Sequence, residues 1–340
     1  MNVDTQPEKL TPKDFATDQE VRWCPGCGDY AILKSVQKTL ADVGAVPENT
    51  VFVSGIGCAA RFPYYVETYG MHTIHGRAPA FATGLKLANP DLDVWIVSGD
   101  GDSLSIGGNH LFHLLRRNVD VQFLLFNNEI YGLTKGQYSP TSHIGTQSPS
   151  TPWGSIDNPA SAAQFALGAG ARFVARSVDT DQKHMPAILT RAYEHRGTSF
   201  VEIFQNCKVY NDGVFDAFTA RETAANMQVM AEHGKPLTFG AENQKGLRFN
   251  PGTFKLEAVT IGETGVTEAD VLVHDETNKS LALMLVAMEP PTMPVALGVL
   301  YCSPAGTYDQ GIAELVSKKK SDDKPDFNKL LRSGHTWTVS

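Results

Sequence analysis

The chain lacks the long apolar and long basic runs that mark membrane proteins and nucleic-acid-binding proteins. It has 340 residues, of which 42% are hydrophobic, yet no stretch approaches the roughly 18 consecutive apolar residues of a membrane-spanning helix. No run of Lys and Arg is longer than residues 318–320, and the formal net charge is −8. An acidic chain without a basic patch does not attract a phosphate backbone. We therefore expect no membrane and no nucleic acid among its partners.

The first residues also lack the features of a secretory signal peptide. Residues 1–10 contain no basic segment followed by an apolar one, so we expect a cytoplasmic protein. Cysteine is scarce, and structural disulfides are rare in a reducing compartment. Clustered cysteines are therefore interpreted first as metal ligands or redox groups. The five cysteines are Cys24, Cys27, Cys58, Cys207 and Cys302.

Short β-branched segments alternate with helix-like segments over the first 215 residues. Such strands, bounded by Gly, Asn or Ser, are typical of buried parallel strands joined by right-handed crossovers. We predict an α/β fold with a doubly wound, mainly parallel sheet. The strands are predicted at 51–54, 93–98, 121–126, 171–175 and 199–204, and the helices at 79–88, 106–118, 159–168 and 180–195.

The remainder of the chain is more polar, with short apolar runs at 270–274, 281–287 and 295–301. We interpret it as a C-terminal extension with strands and helices of its own. The predicted division is an N-terminal arm at 1–20, a main domain at 21–215, the extension at 216–317 and a tail at 318–340. The charged tail is expected to be disordered or to wrap a partner.

One strand–turn–helix–strand unit carries a candidate diphosphate and metal site. The strand over 94–97 leads into Gly99-Asp100-Gly101, and the next strand ends in Asn127-Asn128. Glycines allow a diphosphate to approach the backbone, helix N–H groups face its charge, and Asp100 can hold a hard divalent cation. Asn128 can reach the same ion from the neighbouring strand. Gly-Asp-Gly alone is a common turn, but this complete frame favours the functional interpretation.

Two other motifs are weaker. Residues 51–60 match a dinucleotide fingerprint from Gly55 to Ala60, but no acidic residue ends a second strand about 20 positions later, so we reject a nicotinamide site. Cys24-Pro-Gly-Cys27 resembles the thioredoxin redox pair. The residues before it are polar and do not form the strand which that motif requires, so this remains a minor alternative.

Four cysteines are predicted to meet at the ligand-binding edge of the sheet. Cys24 and Cys27 share one tight loop, and Cys58 and Cys207 each follow a predicted strand. Four thiolates can hold Zn²⁺ or a [4Fe–4S] cluster, and one close pair with two distant single residues favours iron. Cys302 lies in an apolar run and is expected to be a buried core cysteine.

Five separated motifs, in order, resemble those of the β subunits of 2-oxoacid:ferredoxin oxidoreductases. The resemblance covers roughly residues 20–215, and the last motif is most similar to the 2-oxoglutarate (2-oxoglutarate synthase) branch. The motifs are Trp23-Cys-Pro-Gly-Cys-Gly-Asp29, Gly55-Ile-Gly-Cys58, His75-Gly-Arg77 with Ala82-Thr-Gly-Leu-Lys-Leu-Ala88, Gly99-Asp-Gly-Asp102 and Tyr131-Gly-Leu-Thr-Lys-Gly-Gln137.

The resemblance implies a sheet of the thiamine-diphosphate-binding (pyrophosphate domain) type. It implies Mg²⁺ held by Asp100, Asn128 and the carbonyl of Ile130. A [4Fe–4S] cluster would be held by Cys24, Cys27, Cys58 and Cys207. The residues expected to contact the cofactors are Ile56, Gly57, Cys58, His75, Gly99, Asp100, Gly101, Asp102, Asn128, Ile130, Gly132, Leu133 and Thr134.

The reaction implied is the coenzyme A-dependent oxidative decarboxylation of 2-oxoglutarate to succinyl-CoA and CO2, reversible as a reductive carboxylation. Electrons would pass through the cluster to ferredoxin. A larger α subunit would supply the carboxylate that contacts the aminopyrimidine ring, in an α2β2 heterotetramer. Pyruvate or a branched-chain 2-oxo acid as substrate, a non-redox thiamine-dependent decarboxylase with structural Zn²⁺, and a non-catalytic iron–sulfur carrier are the alternatives.

Four further residues are candidates for substrate contacts. His75 and Arg77 are candidate catalytic residues, and the alternative is that they only hydrogen-bond within their loop. Arg61 could bind a substrate carboxylate through its guanidinium fork, or it could be an ordinary surface arginine. Leu133 is expected to shape the wall of the substrate pocket.

Overall fold

The computed structural model describes residues 9–319 and 326–339. Its strands are β1 Thr50–Ser54, β2 Tyr69–His72, β3 Asp93–Gly99, β4 Gln122–Asn127, β5 Ile130–Tyr131, β6 Gln137–Tyr138, β7 Phe173–Val178, β8 Ser199–Phe204, β9 Gln228–Ala231, β10 Thr238–Phe239, β11 Lys245–Asn250, β12 Lys255–Thr260 and β13 Val295–Cys302. Its helices are α1 Asp29–Val43, α2 Ala78–Ala88, α3 Asp100–Leu104, α4 Gly108–Arg117, α5 Ala162–Gly168, α6 His184–Glu194, α7 Asp216–Thr219, α8 Ala224–Met227, α9 Lys279–Val286, α10 Tyr308–Lys319 and α11 Phe327–Leu331.

An eight-stranded sheet with the order β2-β1-β3-β4-β8-β7-β13-β9 forms the centre of the molecule. Every neighbouring pair is parallel except β13 and β7, which are antiparallel. The strands β1, β4, β7 and β8 are buried along their whole length, as strands covered on both faces must be. The predicted mainly parallel α/β sheet is therefore confirmed.

Helices cover both faces of this sheet. On one face α1 and α6 pack together over a core that includes Ile32, Phe126 and Leu189. On the other face α2 packs against α4, and α5 against α9, over a core that includes Leu111 and Phe123. This arrangement leaves the carboxyl ends of the parallel strands as the accessible edge for ligands.

The predicted extension does not fold apart from the main sheet. Its strands β9 and β13 complete that sheet, and only β10, β11 and β12 form a separate three-stranded sheet. The apolar run over Val295–Cys302 is buried up to its last residue, which explains why it joins the core. Cys302, which was predicted as a buried core cysteine, packs against the α1–α6 core but is only half-buried, because it is the last residue of the strand.

Several helices and strands begin or end a few residues from their predicted boundaries. The helix predicted at 106–118 begins at Gly108 and ends at Arg117, where Asn118 adopts a left-handed conformation with φ 52°. The helix predicted at 159–168 begins at Ala162, after the capping residue Ser161. The helix predicted at 180–195 is α6, which begins at His184, and the strand predicted at 171–175 is β7, which runs over Phe173–Val178.

The ends of the chain are only partly described. Residues 1–8 of the predicted arm and residues 320–325 and 340 of the predicted tail lie outside the described residues. Within the arm, Phe15 is fully buried in the α1–α6 core. Within the tail, residues 318–319 end α10, and residues 326–339 are exposed. In the part of the chain that the structure describes, no helix is long and apolar enough to cross a membrane.

The sheet core should dominate stability. Phe123 is fully buried and stacks on Phe200 with ring centroids 5.7 Å apart. We expect Phe123→Ala to lower the free energy of unfolding by about 3–5 kcal/mol, because it removes a large side chain and leaves a cavity. Phe112→Ala, at a 39% exposed position on α4, should cost less than about 1 kcal/mol. Denaturant unfolding of both variants measures this, and equal losses would contradict the assignment of the core.

Candidate functional site

One pocket lies beyond the carboxyl ends of β1, β3 and β4, which are adjacent and parallel. All the residues predicted to contact the cofactors line it, together with Ala59, Phe126 and Tyr131. The structure therefore brings into one place loops that are separated by up to about 80 residues in the sequence.

Asp100 is the buried acid at the floor of this pocket. It begins α3, is 2% exposed, and accepts hydrogen bonds from Ser139 Oγ and from Thr141 Oγ1 at 2.7 Å. Burial raises the pKa of its carboxyl group. Among the described residues no Lys, Arg or His forms an ion pair with it. A buried carboxylate needs a positive partner, so this position fits a metal ion.

Asn128 and Ile130 are placed to complete such a site. Asn128 Oδ1 accepts a hydrogen bond from the Ile130 N–H at 3.2 Å, and its Nδ2 donates to Gln205 Oε1 at 2.7 Å. Glu129 between them has a φ of 56°, which turns the chain sharply after β4. Asn128 and Ile130 line the same pocket as Asp100. Carboxylate, amide and carbonyl oxygens are the donors that hard divalent cations prefer, so this set fits Mg²⁺.

The glycine at 101 is required by its neighbour. A Cβ there would lie 2.2 Å from the ring of Tyr131, whose hydroxyl donates to the Gly101 carbonyl at 3.0 Å. The backbone of this turn therefore stays open to the pocket while Tyr131 packs over it. An open backbone turn at the start of a helix is the arrangement that receives a diphosphate.

Asp102 organises the loops around the pocket. Its Oδ1 accepts from the backbone N–H groups of Ile56 at 3.0 Å and Gly76 at 2.8 Å, and its Oδ2 accepts from Ser98 Oγ at 2.6 Å. His75 Nδ1 makes a short contact with Oδ1. Both carboxylate oxygens thus contact protein donors, although Asp102 was predicted only as a cofactor contact.

His75 presents its second ring nitrogen to the pocket. Its side chain is 39% exposed and lies edge-on to Tyr131 at 6.4 Å. With Nδ1 donating to Asp102, Nε2 is the nitrogen that can meet a bound ligand. The structure thus brings His75 to the predicted site.

Unlike His75, the two candidate arginines do not line the pocket. Arg77 is the N-terminal capping residue of α2. Arg61 Nε donates to the Tyr65 hydroxyl at 2.8 Å, and its guanidinium lies over the rings of Tyr64 and Tyr65. Leu133, by contrast, lines the pocket and is 55% exposed.

The cysteines predicted to hold a cluster border the same pocket. A Cβ at Gly132 would lie 3.5 Å from Cys207 Sγ and 3.6 Å from Cys58 Sγ, so these two sulfurs flank one pocket residue. Gln205 Nε2 donates to Cys27 Sγ at 3.3 Å, which brings the Cys24–Cys27 loop to the end of β8. Burial and then the negative charge of Asp29 raise the pKa of Cys58 to about 12. Buried thiols of this kind need cationic partners to become thiolates.

The four cysteines are not arranged around a single metal ion in the described residues. In residues 9–319 and 326–339, no three Cys, His, Asp or Glu side chains converge tightly enough to ligate one ion. The assignment of the four cysteines to a cluster stays a prediction.

Sequence reasoning missed several residues of the site. Ser139 and Thr141 hold Asp100, but they lie in an ordinary polar loop that carries no signal. Asp29 is 1% exposed, and neither carboxylate oxygen has a hydrogen-bond partner among the described residues. Burial raises its pKa to about 7, and Asp179 adds to the shift. Its place at the end of the first cysteine motif was the only signal available.

Comparison with known proteins identifies the family. Residues 55–203 match the thiamine pyrophosphate enzyme, C-terminal TPP binding domain. The 2-oxoacid:ferredoxin oxidoreductase 1 β subunit of Aeropyrum pernix is 46% identical over 198 residues, which cover 58% of this chain and 62% of that one. The 2-oxoglutarate oxidoreductase subunit KorB of Mycobacterium tuberculosis is 47% identical over 340 residues, covering 98% of this chain and 89% of that one. The chain belongs to the 2-oxoacid:ferredoxin oxidoreductase β subunits.

This assignment confirms the family predicted from the motifs, and with it the thiamine-diphosphate-binding domain. A solved structure of 2-oxoglutarate:ferredoxin oxidoreductase from Magnetococcus marinus, with 2-oxoglutarate, coenzyme A and succinyl-CoA bound, matches with a TM-score of 0.76 and 32% identity over 97% of each chain. The Aeropyrum β subunit matches little more than half of the chain, whereas the Mycobacterium and Magnetococcus proteins match nearly all of it. Sequence similarity to the Mycobacterium and Magnetococcus proteins therefore extends over more of the chain than similarity to the Aeropyrum subunit does.

The metal assignment can be tested at Asp100. We expect Asp100→Ala to weaken Mg²⁺-dependent binding of thiamine diphosphate by at least the roughly 10- to 100-fold lost when an outer partner of a metal site is removed. Isothermal titration of the assembled enzyme measures this. Asp91→Ala, an exposed residue before β3, is the control and should bind normally. Unchanged affinity in a folded Asp100→Ala enzyme would refute the assignment.

Proposed function

We propose that this chain is the β subunit of an enzyme that oxidatively decarboxylates 2-oxoglutarate and transfers the acyl group to coenzyme A, forming succinyl-CoA and CO2. Electrons leave through a [4Fe–4S] cluster to ferredoxin, and the reaction is reversible as a reductive carboxylation. One observation carries the proposal: two of the four cysteines lie beside the pocket proposed for thiamine diphosphate. A Cβ at Gly132, which lines this pocket, would lie 3.5 Å from Cys207 Sγ and 3.6 Å from Cys58 Sγ. The names of the Mycobacterium and Magnetococcus relatives support 2-oxoglutarate as the substrate.

In this proposal the chain's residues bind and orient the cofactor. Asp100, Asn128 and the Ile130 carbonyl hold Mg²⁺, and the turn around Gly101 receives the diphosphate. When bound, thiamine diphosphate supplies the carbanion that cleaves the 2-oxo acid, and an iron–sulfur cluster accepts electrons one at a time. Apolar walls such as Phe126 help to exclude water from the reacting end.

His75 is the proposed proton donor or hydrogen-bond donor to the substrate. Asp102 holds its Nδ1, which fixes the ring and leaves Nε2 facing the pocket. A carboxylate that holds an imidazole in one orientation favours a hydrogen bond from the other ring nitrogen to a bound substrate. Arg77, at the start of α2, has no comparable contact with the pocket among its lining residues.

Cys24, Cys27, Cys58 and Cys207 are the proposed cluster ligands. The absence of side-chain bulk at Gly132 leaves space between Cys58 and Cys207. Burial and then the negative charge of Asp29 raise the pKa of Cys58, and iron would supply the positive charge that favours its thiolate, which supports the assignment. Cys302 is not in this group, because its sulfur lies 3.9 Å from His195 Nδ1 in a different part of the core.

The proposed assembly includes a larger α subunit, which supplies the carboxylate that contacts the aminopyrimidine ring, in an α2β2 heterotetramer with ferredoxin as electron partner. The β-subunit names of the relatives support a multisubunit enzyme. A structural Zn²⁺ site in a non-redox decarboxylase and a carrier without thiamine are the competing functions. Iron analysis of protein purified without oxygen, together with thiamine released on denaturation, distinguishes all three.

The cysteine assignment gives a paired test. We expect Cys207→Ser to lose or destabilise the cluster, because a serine oxygen is a poor replacement for a thiolate ligand. Cys302→Ser should keep wild-type iron and acid-labile sulfide per chain. Both contents and the visible absorbance are measured on anaerobically purified enzyme. Equal loss, or no loss, in the two variants would refute this ligand set.

Substrate choice is tested at Arg61. A second carboxylate in the pocket needs a cation, since an unpaired buried charge costs several kcal/mol. If Arg61 turns from its tyrosines to that carboxylate, Arg61→Met should reduce kcat/KM for 2-oxoglutarate by about two powers of ten, for a loss of about 3 kcal/mol. The value for pyruvate should change little. Arg22→Met, an exposed arginine paired with Glu20, is the control. Equal effects on both substrates, or a wild-type preference for pyruvate or a branched-chain acid, would refute the specificity.

A further inference from the structure

A second pocket lies back to back with the cofactor pocket. The chain that leaves β4 alternates between them: Asn128 and Ile130 line the cofactor pocket, whereas Asn127 and Glu129 line the second. Thr141 also lines the second pocket, and its hydroxyl contacts both Asp100 and Asn127. The two pockets therefore share a wall one side chain thick.

A buried arginine forms the floor of the second pocket. Arg176 on β7 and Glu202 on β8 are partners in the strand register and are only 5% and 2% exposed. Arg176 Nε donates to Glu202 Oε2 at 2.8 Å, and Asn127 Nδ2 donates to Oε1 at 2.8 Å. Both oxygens of Glu202 are thus engaged. The two terminal amino groups of Arg176 have no hydrogen-bond acceptor among the described residues, and the guanidinium lies over Phe204.

More than half of the residues that line this pocket are apolar, and eight of the 18 lining residues come from the part of the chain after residue 213. The cavity has a volume of about 180 Å³. Of the other acids, Glu129 faces His143 at 3.4 Å and Glu289 is exposed at the rim. The apolar lining residues in this part are Val214, Phe215, Phe218, Val286, Met288 and Val295.

We propose that this second pocket binds a small monocarboxylic acid, with its carboxylate on the terminal amino groups of Arg176 and its apolar body against Phe215 and Phe218. Arg176 lines the pocket, its terminal amino groups donate to no acceptor among the described residues, and the guanidinium edge matches a carboxylate in a bidentate pair. An engineered cavity of about 150 Å³ holds benzene, so this one suits an acid with a body of about that size. A dicarboxylate would place its second charge against the apolar wall.

This site differs from the cofactor pocket in lining residues and in ligand charge. Eight of its lining residues lie after residue 213, in the part of the chain that completes the sheet with β9 and β13. The ligand would touch the wall that carries Asn127 and Thr141, and so would lie one side chain from Asp100.

Calorimetric titration of the full chain with benzoate tests the site, with benzyl alcohol as the uncharged probe. Wild type should bind benzoate at least tenfold more tightly than benzyl alcohol. Arg176→Lys keeps a cation beside Glu202 but loses the fork, and should weaken benzoate at least tenfold. Val214→Trp should abolish binding by filling the cavity. Arg248→Lys, in a half-buried ion pair with Glu257 on β11 and β12 that does not line the pocket, is the matched control and should bind like wild type.

Three results would overturn the proposal. The first is no binding of benzoate, phenylacetate or 4-methylpentanoate at concentrations up to about 10 mM. The second is equal affinity in wild type and Val214→Trp, which also decides the matter if Arg176→Lys fails to fold by circular dichroism. The third is loss of benzoate binding when the α subunit is added, which would show that a partner residue fills the pocket.

Discussion

The buried carboxylate of Asp102 is the interaction on which the cofactor pocket depends. It accepts hydrogen bonds from Ile56 in the loop after β1, from Gly76 in the loop after β2 and from Ser98 near the end of β3. Hydrogen bonds to a charged group each contribute about 1.5–3 kcal/mol, so these loops are held as one unit. The glycines around it follow from this crowding: a Cβ at Gly55 would lie 1.8 Å from Asp102, and one at Gly76 would lie 2.5 Å from the Gly107 nitrogen.

Negative groups without protein cations collect around that unit. Asp100 and Asp29 are buried acids with raised pKa values, and the thiols of Cys27 and Cys58 are held neutral by burial. Burial disfavours the charged form of each of these groups, and a nearby cation favours it. Under the proposed function Mg²⁺ and the cluster would supply that positive charge, and their binding should stabilise the surrounding loops as well as enable the chemistry.

Prediction from the sequence succeeded where the signal was local. The strands β1, β3 and β8 were found because each is a buried apolar run between turns. β2 was missed because all four of its residues are exposed at the sheet edge, which leaves no apolar pattern. The entry of β13 between β7 and β9 depends on contacts distant in sequence, which no local pattern encodes.

In the pocket, too, the residues with a local sequence signal were predicted and those placed by loop conformation were not. The motif residues were assigned to one site because ends of adjacent parallel strands must meet. The hydroxyls of Ser139 and Thr141, and the tyrosines that hold Arg61, were invisible because loop conformation places them. The antiparallel pairing of β13 with β7 has a practical consequence for any shortened version of this protein. A fragment cut after residue 215 would lack β13 and would expose the backbone donors and acceptors of β7, a strand that is buried along its whole length, as an unpaired sheet edge. Such an edge invites pairing between copies, so a minimal cofactor domain made from this chain would be prone to aggregate unless a substitute strand were grafted onto it.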